Sequence, residues 1–163
     1  MKESVEKALN NQINAELQSA YLYLSMSAYF ESINLKGFAN WMRIQAQEEA
    51  GHAMRFFKFI FDRNGRVTLS SIDEPKGTWK SPLDAFENVY SHEQKVTGLI
   101  NGLVDLAKKE NDHATENFLQ WFVGEQVEEE ASALEIVEKL RFIKDSANGL
   151  LRLDSELAKR GKS

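Results

Sequence analysis

The sequence predicts an all-α fold: a four-helix bundle with one long crossover between its second and third helices and a short fifth helix at the C-terminal end. Three observations carry this reading. The only prolines, Pro75 and Pro82, fall in the one region rich in turn signals, Asn64 to Pro82, which leaves two long proline-free tracts on either side. Both tracts repeat bulky apolar residues at steps of three and four, the period of a helix with one buried face. No stretch alternates in the manner of a strand with comparable strength, and no internal repeat is visible.

The elements follow in order. The first tract reads as helix α1 over about 4–32, a break near Asn34, and helix α2 over about 35–63, which stops at Asn64-Gly65. A crossover takes up about 65–80. Helix α3 spans about 82–110, with Ser81 as N-cap and Pro82 in its first turn. Asn111 or Asp112 caps helix α4, over about 112–142. Helix α5, over about 148–160, places Leu150, Leu153 and Leu157 on one side. The 163 residues make a single domain, 1–163. Short joins make α1–α2 and α3–α4 antiparallel hairpins. The crossover can reach roughly 50 Å when extended, against roughly 43 Å for α2, so it can run the length of the bundle and start α3 beside α2 in the same direction. A connection of this length is functional or mobile, and the sequence leaves both open.

Composition excludes several function classes. Hydrophobic residues are 42% and charged residues 28%, ordinary for a globular chain. A net charge of -5 argues against a nucleic-acid partner and suits a protein that attracts cations. Without cysteine there is no disulfide framework, thiolate metal site or cysteine nucleophile. The polar start MKESVEKALNNQ has no apolar signal core, and no uninterrupted apolar run of about eighteen residues exists to span a membrane. A cytoplasmic protein is expected.

The inner stripes pose the functional question. On α1 the stripe reads Leu9, Ile13, Glu16, Ala20, Tyr23, Ser27, Phe30; on α2, Phe38, Met42, Gln45, Glu49, His52, Phe56, Phe59. On α3 it reads Phe86, Val89, Glu93, Val96, Ile100, Leu103; on α4, Phe118, Phe122, Gln126, Glu129, Ala133, Ile136, Leu140. Each stripe carries a glutamate within roughly three residues, or about 5 Å, of its helix midpoint, and midpoints coincide whichever way a helix points. Glu16, Glu49, Glu93 and Glu129 should therefore meet at one level, with His52 beside them. A lone glutamate on such a stripe is usually a boundary residue; four at one depth beside a histidine are poorly explained that way.

Four buried carboxylates cannot all stay ionised without compensation, and no lysine or arginine stands on the central part of any stripe. Two divalent cations would balance them, and carboxylates with an imidazole suit non-haem iron or manganese. Single glutamates from two helices with Glu-x-x-His from others is how di-iron helix bundles are built. Here α2 supplies Glu49-Ala-Gly-His52, whereas α4 has Ser132 where a second histidine would stand. The second metal should then be held by oxygen ligands, more weakly than the first.

At this point the sequence closely resembles the non-haem ferritins of bacteria and archaea, over nearly the whole chain. INAELQSAYLYLSMSAYF, Glu49-Ala-Gly-His52 and FLQWFVGEQVEEE carry the resemblance. It implies iron storage with ferroxidase activity: ferrous iron oxidised by oxygen at a di-iron centre and kept as ferric mineral inside a homo-oligomeric shell of twenty-four subunits. Residue by residue, it implies that Glu16, Glu49 and His52 bind the first iron, that Glu49 bridges, and that Glu93 and Glu129 bind the second. Gln126 matches a residue beside the centre, and Tyr23 and Trp121 match aromatic neighbours that hydrogen-bond near it or supply an electron. Glu48, Glu125 and Glu128 match a third iron site, with a solvated acidic face as the competing reading. Ala50 stands where bacterioferritins carry a haem-binding methionine, so no haem is expected. The absence of cysteine sets the chain apart from rubrerythrins.

Two further expectations are weaker in their residues. Asp112, His113 and Glu116 open α4, which in the family borders shell channels, although N-capping explains Asp112 equally well. Gly51, Gly98, Gly102 and Gly124 lie inside helices, each at a cost of about 1 kcal/mol relative to alanine; close approach of helices or water would account for them. The competing function is a di-iron oxygenase or peroxidase not dedicated to storage, which would want an apolar substrate channel and a second histidine.

Overall fold

In the computed structural model, which describes residues 1–162, the chain forms α1 (Glu3–Ser32), α2 (Lys36–Asp62), α3 (Pro82–Lys109), α4 (His113–Ile143) and α5 (Ala147–Leu157). Among the described residues there is no strand, and no helix is long and apolar enough to cross a membrane. Three of the four long helices end in the same way. Asn34, Asn64 and Asn111 take the left-handed conformation at φ 61°, 57° and 55°. The amide of the next residue then donates back to a carbonyl of the last turn: Leu35 to Phe30 at 3.0 Å, Gly65 to Ile60 at 2.8 Å, and Asp112 to Ala107 at 2.8 Å. These are Schellman closures with asparagine in the position glycine usually fills. At Asn64-Gly65 it is thus the asparagine, not the glycine, that turns the chain. The starts of α3 and α4 are capped by side chains: Ser81 Oγ accepts from Asp84 N, and Asp112 Oδ1 from Thr115 N.

The hairpins α1–α2 and α3–α4 pack side by side, and the crossover runs the length of the bundle as expected, but α3 does not start beside α2. The crossover runs along α1, pinned by a ladder of side chains from one face of that helix. Asn10 donates to Arg66 O and accepts from Thr68 N; Asn14 donates to Ser71 O at 2.9 Å. Gln18 pairs with both backbone groups of Asp73, and Ser25 donates to Lys76 O at 2.6 Å. The steps Asn10, Asn14, Gln18 follow the four-residue spacing of one helical face. The loop therefore travels in the direction of α1 and returns the chain to the end where α2 began. Helix α3 then runs in the direction of α2 but lies beside α1.

The core is two apolar halves with a polar layer between them. One half holds Phe30, Phe38, Met42 and Phe86; the other holds Leu9, Phe56, Ile100 and Phe122. Helix α5 buries Leu153 and Leu157 against the first half and meets the start of α2. That start has no side-chain cap of its own. Asp154 Oδ1 supplies one, accepting from Gly37 N at 2.8 Å and Phe38 N at 3.0 Å. The approach is so close that a Cβ on Gly37 would stand 1.7 Å from the Asp154 carbonyl oxygen. The four interior glycines are different: a Cβ added at Gly51, Gly98, Gly102 or Gly124 meets nothing within 4 Å. Crowding inside the chain does not explain them.

Candidate metal centre

The polar layer is where the four glutamate-bearing stripes cross. Glu16, Glu49 and Glu93 are each 1% exposed, Glu129 7% and His52 6%. Two sets of ligand atoms have all members within 4.8 Å of one another: Glu16, Glu49 and His52, and Glu49, Glu93 and Glu129. Glu49 belongs to both. His52 Nδ1 lies 3.3 Å from Glu49 Oε2 and 3.8 Å from Glu16 Oε2. A third set joins His52 and Glu129 to Glu125.

The neutral neighbours divide the carboxylates among themselves. Gln12 Nε2 donates to Glu16 Oε1 at 3.0 Å. Gln45 Nε2 donates to Glu129 Oε2 at 2.6 Å and Glu49 Oε1 at 3.1 Å. Tyr23, fully buried, donates its hydroxyl to Glu93 Oε1, while Gln126 Nε2 donates to Glu93 Oε2 at 3.1 Å. Of the oxygens wholly shut off from solvent, one is left over. Glu16 Oε2 is buried without a hydrogen-bond partner among the described residues. An orphan carboxylate oxygen is costly unless something positive meets it.

The protonation pattern of the chain alone gives the same message. Burial, above all, and then repulsion from Glu93 raise Glu129 to about 7. Burial also pushes Glu49 well above, and Glu93 above, the usual carboxylate value, the Glu93 shift opposed by Tyr23 and Gln126. Burial works against the His52 imidazolium, but contacts with Glu16 and Glu49 outweigh it and raise the group to about 10. Burial would raise Glu16 too, yet His52, Glu49 and Gln12 together hold it low. Without a metal, protons balance the charge. A carboxylate and imidazole set with a shared ligand and an orphan oxygen fits two divalent cations that would displace them.

The remaining predicted residues separate into those near the centre and those tied up elsewhere. The Trp121 ring meets the His52 ring edge-on at 5.4 Å and is 39% exposed, with the Arg55 guanidinium 3.6 Å from its centroid. Glu125 Oε1 lies 3.8 Å from His52 Nε2. Glu48 faces outward and pairs with Arg160 at 3.1 Å, and Glu128 is exposed; neither joins a ligand group among the described residues. Asp112 is occupied twice, by Arg63 at 2.9 Å and by the cap it makes for α4. His113 is exposed, 4.0 Å from Glu116.

The sequence pattern alone assigns no role to Gln12 or Gln45. Both stand four residues before a glutamate ligand candidate, in Gln12-x-x-x-Glu16 and Gln45-x-x-x-Glu49. That repeated spacing is a usable signal, because residues one turn apart on a helix face each other. Nothing local in the sequence points to Arg160.

The fold and the site together define a class: a four-helix bundle with one long crossover, carrying between its helices a buried group of carboxylates and one histidine that could hold metal ions. Comparison with known proteins narrows it. Residues 6–143 match the family model of the ferritin-like domain. A bacterial non-heme ferritin of Bacteroides fragilis is 46% identical over 160 residues, covering 98% of this chain and 99% of the relative. One from Campylobacter jejuni is 40% identical over 154 residues, covering 94% and 92%. Among solved structures, an open-pore ferritin from the hyperthermophilic archaeon Archaeoglobus fulgidus superposes with a TM-score of 0.98 at 60% identity, covering 98% of this chain and 99% of that one. The chain belongs to the ferritin family, the iron-storage proteins.

Proposed function

We propose that this chain is a ferroxidase subunit of an iron-storage shell. Ferrous iron is its substrate and oxygen the electron acceptor. Glu16 and His52 bind one ferrous ion, Glu93 and Glu129 the other, and Glu49 bridges them. Two ferrous ions held side by side can pass two electrons to one oxygen molecule, which neither ion can do alone. Ferric iron then leaves for storage as mineral within a homo-oligomer of twenty-four copies in the cytoplasm. The observation that carries this reading is Glu49, buried and common to both ligand groups.

The chain's own groups do the rest. Tyr23 and Gln126 hold Glu93, and Gln45 holds Glu129, so the ligands keep their places between turnovers. Binding of iron displaces the protons held at the centre by His52, raised to about 10, and Glu129, raised to about 7. Trp121, against His52 and partly open to solvent, is placed to pass an electron to the centre. Glu125, within reach of His52 and Glu129, is the residue best placed to hold a third iron as it moves outward. Glu48 and Glu128 would have to turn towards it. No haem takes part.

Aerobic loading tests the proposal. Ferrous iron is added far above two equivalents per chain and the product is run on a sizing column. Soluble ferric iron co-eluting with a very large protein species is the expected result. Retention of only about two irons per chain, with the excess precipitating, would leave a di-iron centre but remove storage.

A further inference from the structure

The C-terminal segment ends against the metal centre through one side chain. Arg160 Nη2 donates to Gln45 Oε1 at 2.8 Å, and Gln45 Nε2 in turn donates to Glu129 and Glu49. We infer that Arg160 is a positioning residue for the Glu93–Glu129 half of the centre, holding the Gln45 amide so that its NH2 group faces those carboxylates. The inference rests on the dinuclear reading above.

The chemistry of the two side chains supplies the argument. A primary amide has one accepting and one donating end, and a guanidinium only donates. With Arg160 on Oε1, the planar amide must turn its donors towards Glu129 and Glu49. No other donor reaches Gln45 Oε1 among the described residues. Without Arg160 the amide would be free to turn, and its oxygen could face Glu129, leaving two buried acceptors against each other.

Arg160 is itself firmly placed. Its Nη1 donates to the Trp41 carbonyl at 3.0 Å, its guanidinium lies 4.3 Å from the Trp41 ring centroid, and Nη2 also reaches Glu48 at 3.1 Å. Its side chain is 22% exposed. The backbone that carries it is clasped from both sides. Asn40 Nδ2 donates to the carbonyls of Leu157, Ala158 and Arg160, while Asp154 caps α2. The docking of α5 is thereby transmitted to Gln45 on α2, three helices earlier in the chain, and through it to Glu129 and Glu49.

The direction of the effect can be decided. Removing a cation near the centre would favour metal binding, but Glu48 already faces this cation and partly cancels it. Loss of a group that orients a ligand typically weakens metal binding about 10–100-fold. Orientation should win. The second equivalent should suffer most, because the shorter Gln45 bond goes to Glu129 and the longer one to the shared Glu49.

The test is anaerobic calorimetric titration of the assembled full chain with Co(II), followed in parallel by its d–d absorption. The parent protein should take two equivalents, one tighter than the other. Arg160→Ala should weaken the second step by about tenfold or more and leave the first nearly unchanged. Lys159→Ala, which removes a neighbouring charge of the same sign, should change neither. Gln45→Leu should reproduce the loss, and the Arg160→Ala/Gln45→Leu double variant should be no weaker than Gln45→Leu alone. Should Arg160→Ala fail to assemble, Arg160→Lys keeps the charge and the stem on Trp41 but cannot span Trp41 and Gln45, and carries the same expectation. An unchanged second step, or losses that add in the double variant, would overturn the inference alone. A parent chain that binds fewer than two equivalents would overturn the dinuclear reading and this inference with it.

Discussion

The two halves of the centre share Glu49 but are built differently. The Glu16–His52 half has an imidazole and an orphan carboxylate oxygen; only Gln12 attends it. In the Glu93–Glu129 half, Tyr23, Gln126 and Gln45 already satisfy three carboxylate oxygens. The first half offers an imidazole nitrogen and a carboxylate oxygen that no hydrogen bond occupies, whereas the second offers carboxylate oxygens alone, three of them held by neutral donors. A divalent metal is therefore expected to be held more tightly in the first half, which adds a nitrogen ligand once His52 gives up its proton, than in the all-oxygen second half. An iron-storage centre can use this asymmetry: one ion is gripped and the other exchanges.

The comparison can be broken most completely at the residue both halves share. Glu49→Ala is expected to slow the initial rate of ferrous oxidation by more than about 100-fold, beyond the 10–100-fold typical for groups that merely orient ligands. Circular dichroism should show unchanged helix content. Oxidation at the parent rate would remove Glu49 from the centre.

Substitution on each side separates the halves. His52→Ala should abolish the tighter step of a divalent-metal titration, and Glu129→Ala the weaker one, each by at least about tenfold. If both variants lose the same step, the two halves are not distinct sites.

Acidity reaches both halves: His52, raised to about 10, must give up a proton to bind a cation in the first, as Glu129 must in the second. Glu129, raised to about 7, must lose its proton to bind a cation. The weaker step should therefore lose affinity by about tenfold for each pH unit below 7. Stability of the metal-free fold runs the other way. An acid whose folded value exceeds its ordinary 4.5 contributes stability that is present below 4.5 and lost as pH rises through about 7. Metal-free protein should thus melt progressively lower across that window, as far as this group contributes, while its second metal binds more tightly. Parallel calorimetry and thermal melts measure the two trends, and matching directions would contradict the assignment.

The smallest effect serves as a control outside both halves. Gly98 is exposed in the interior of α3, and an added Cβ meets nothing within 4 Å. Gly98→Ala should raise unfolding stability by about 1 kcal/mol and leave both metal steps in place. A destabilised variant would mean that another copy of the chain covers this face.

Much of this was legible before any coordinates. Helical period, two prolines and a run of turn residues sufficed for five helices, and helix midpoints sufficed to bring Glu16, Glu49, Glu93 and Glu129 to one level with His52. Glu16, Glu49, Glu93, Glu129 and His52 are all buried, as those phases require. What period does not carry is adjacency between helices far apart in the chain. The crossover length allowed α3 to begin beside α2, but Asn10, Asn14 and Gln18 tie the crossover to α1 and move α3 with it. Those residues read as an ordinary polar face, and only the paired backbone reveals their use. The same holds for Arg160, whose partners lie more than a hundred residues away. Glu48 illustrates a third gap. The resemblance matches it to a third iron site, and in the fold a guanidinium from α5's C-terminal side pairs with it.

The central claim is a pair of unequal sites joined by Glu49, and anomalous diffraction addresses it most directly. Crystals soaked anaerobically in increasing ferrous iron would be measured at the iron edge. Two peaks flanking Glu49 are expected, with the one between Glu16 and His52 filling first and the one between Glu93 and Glu129 following at higher concentration. Equal filling of both positions, or a single peak away from Glu49, would contradict the account.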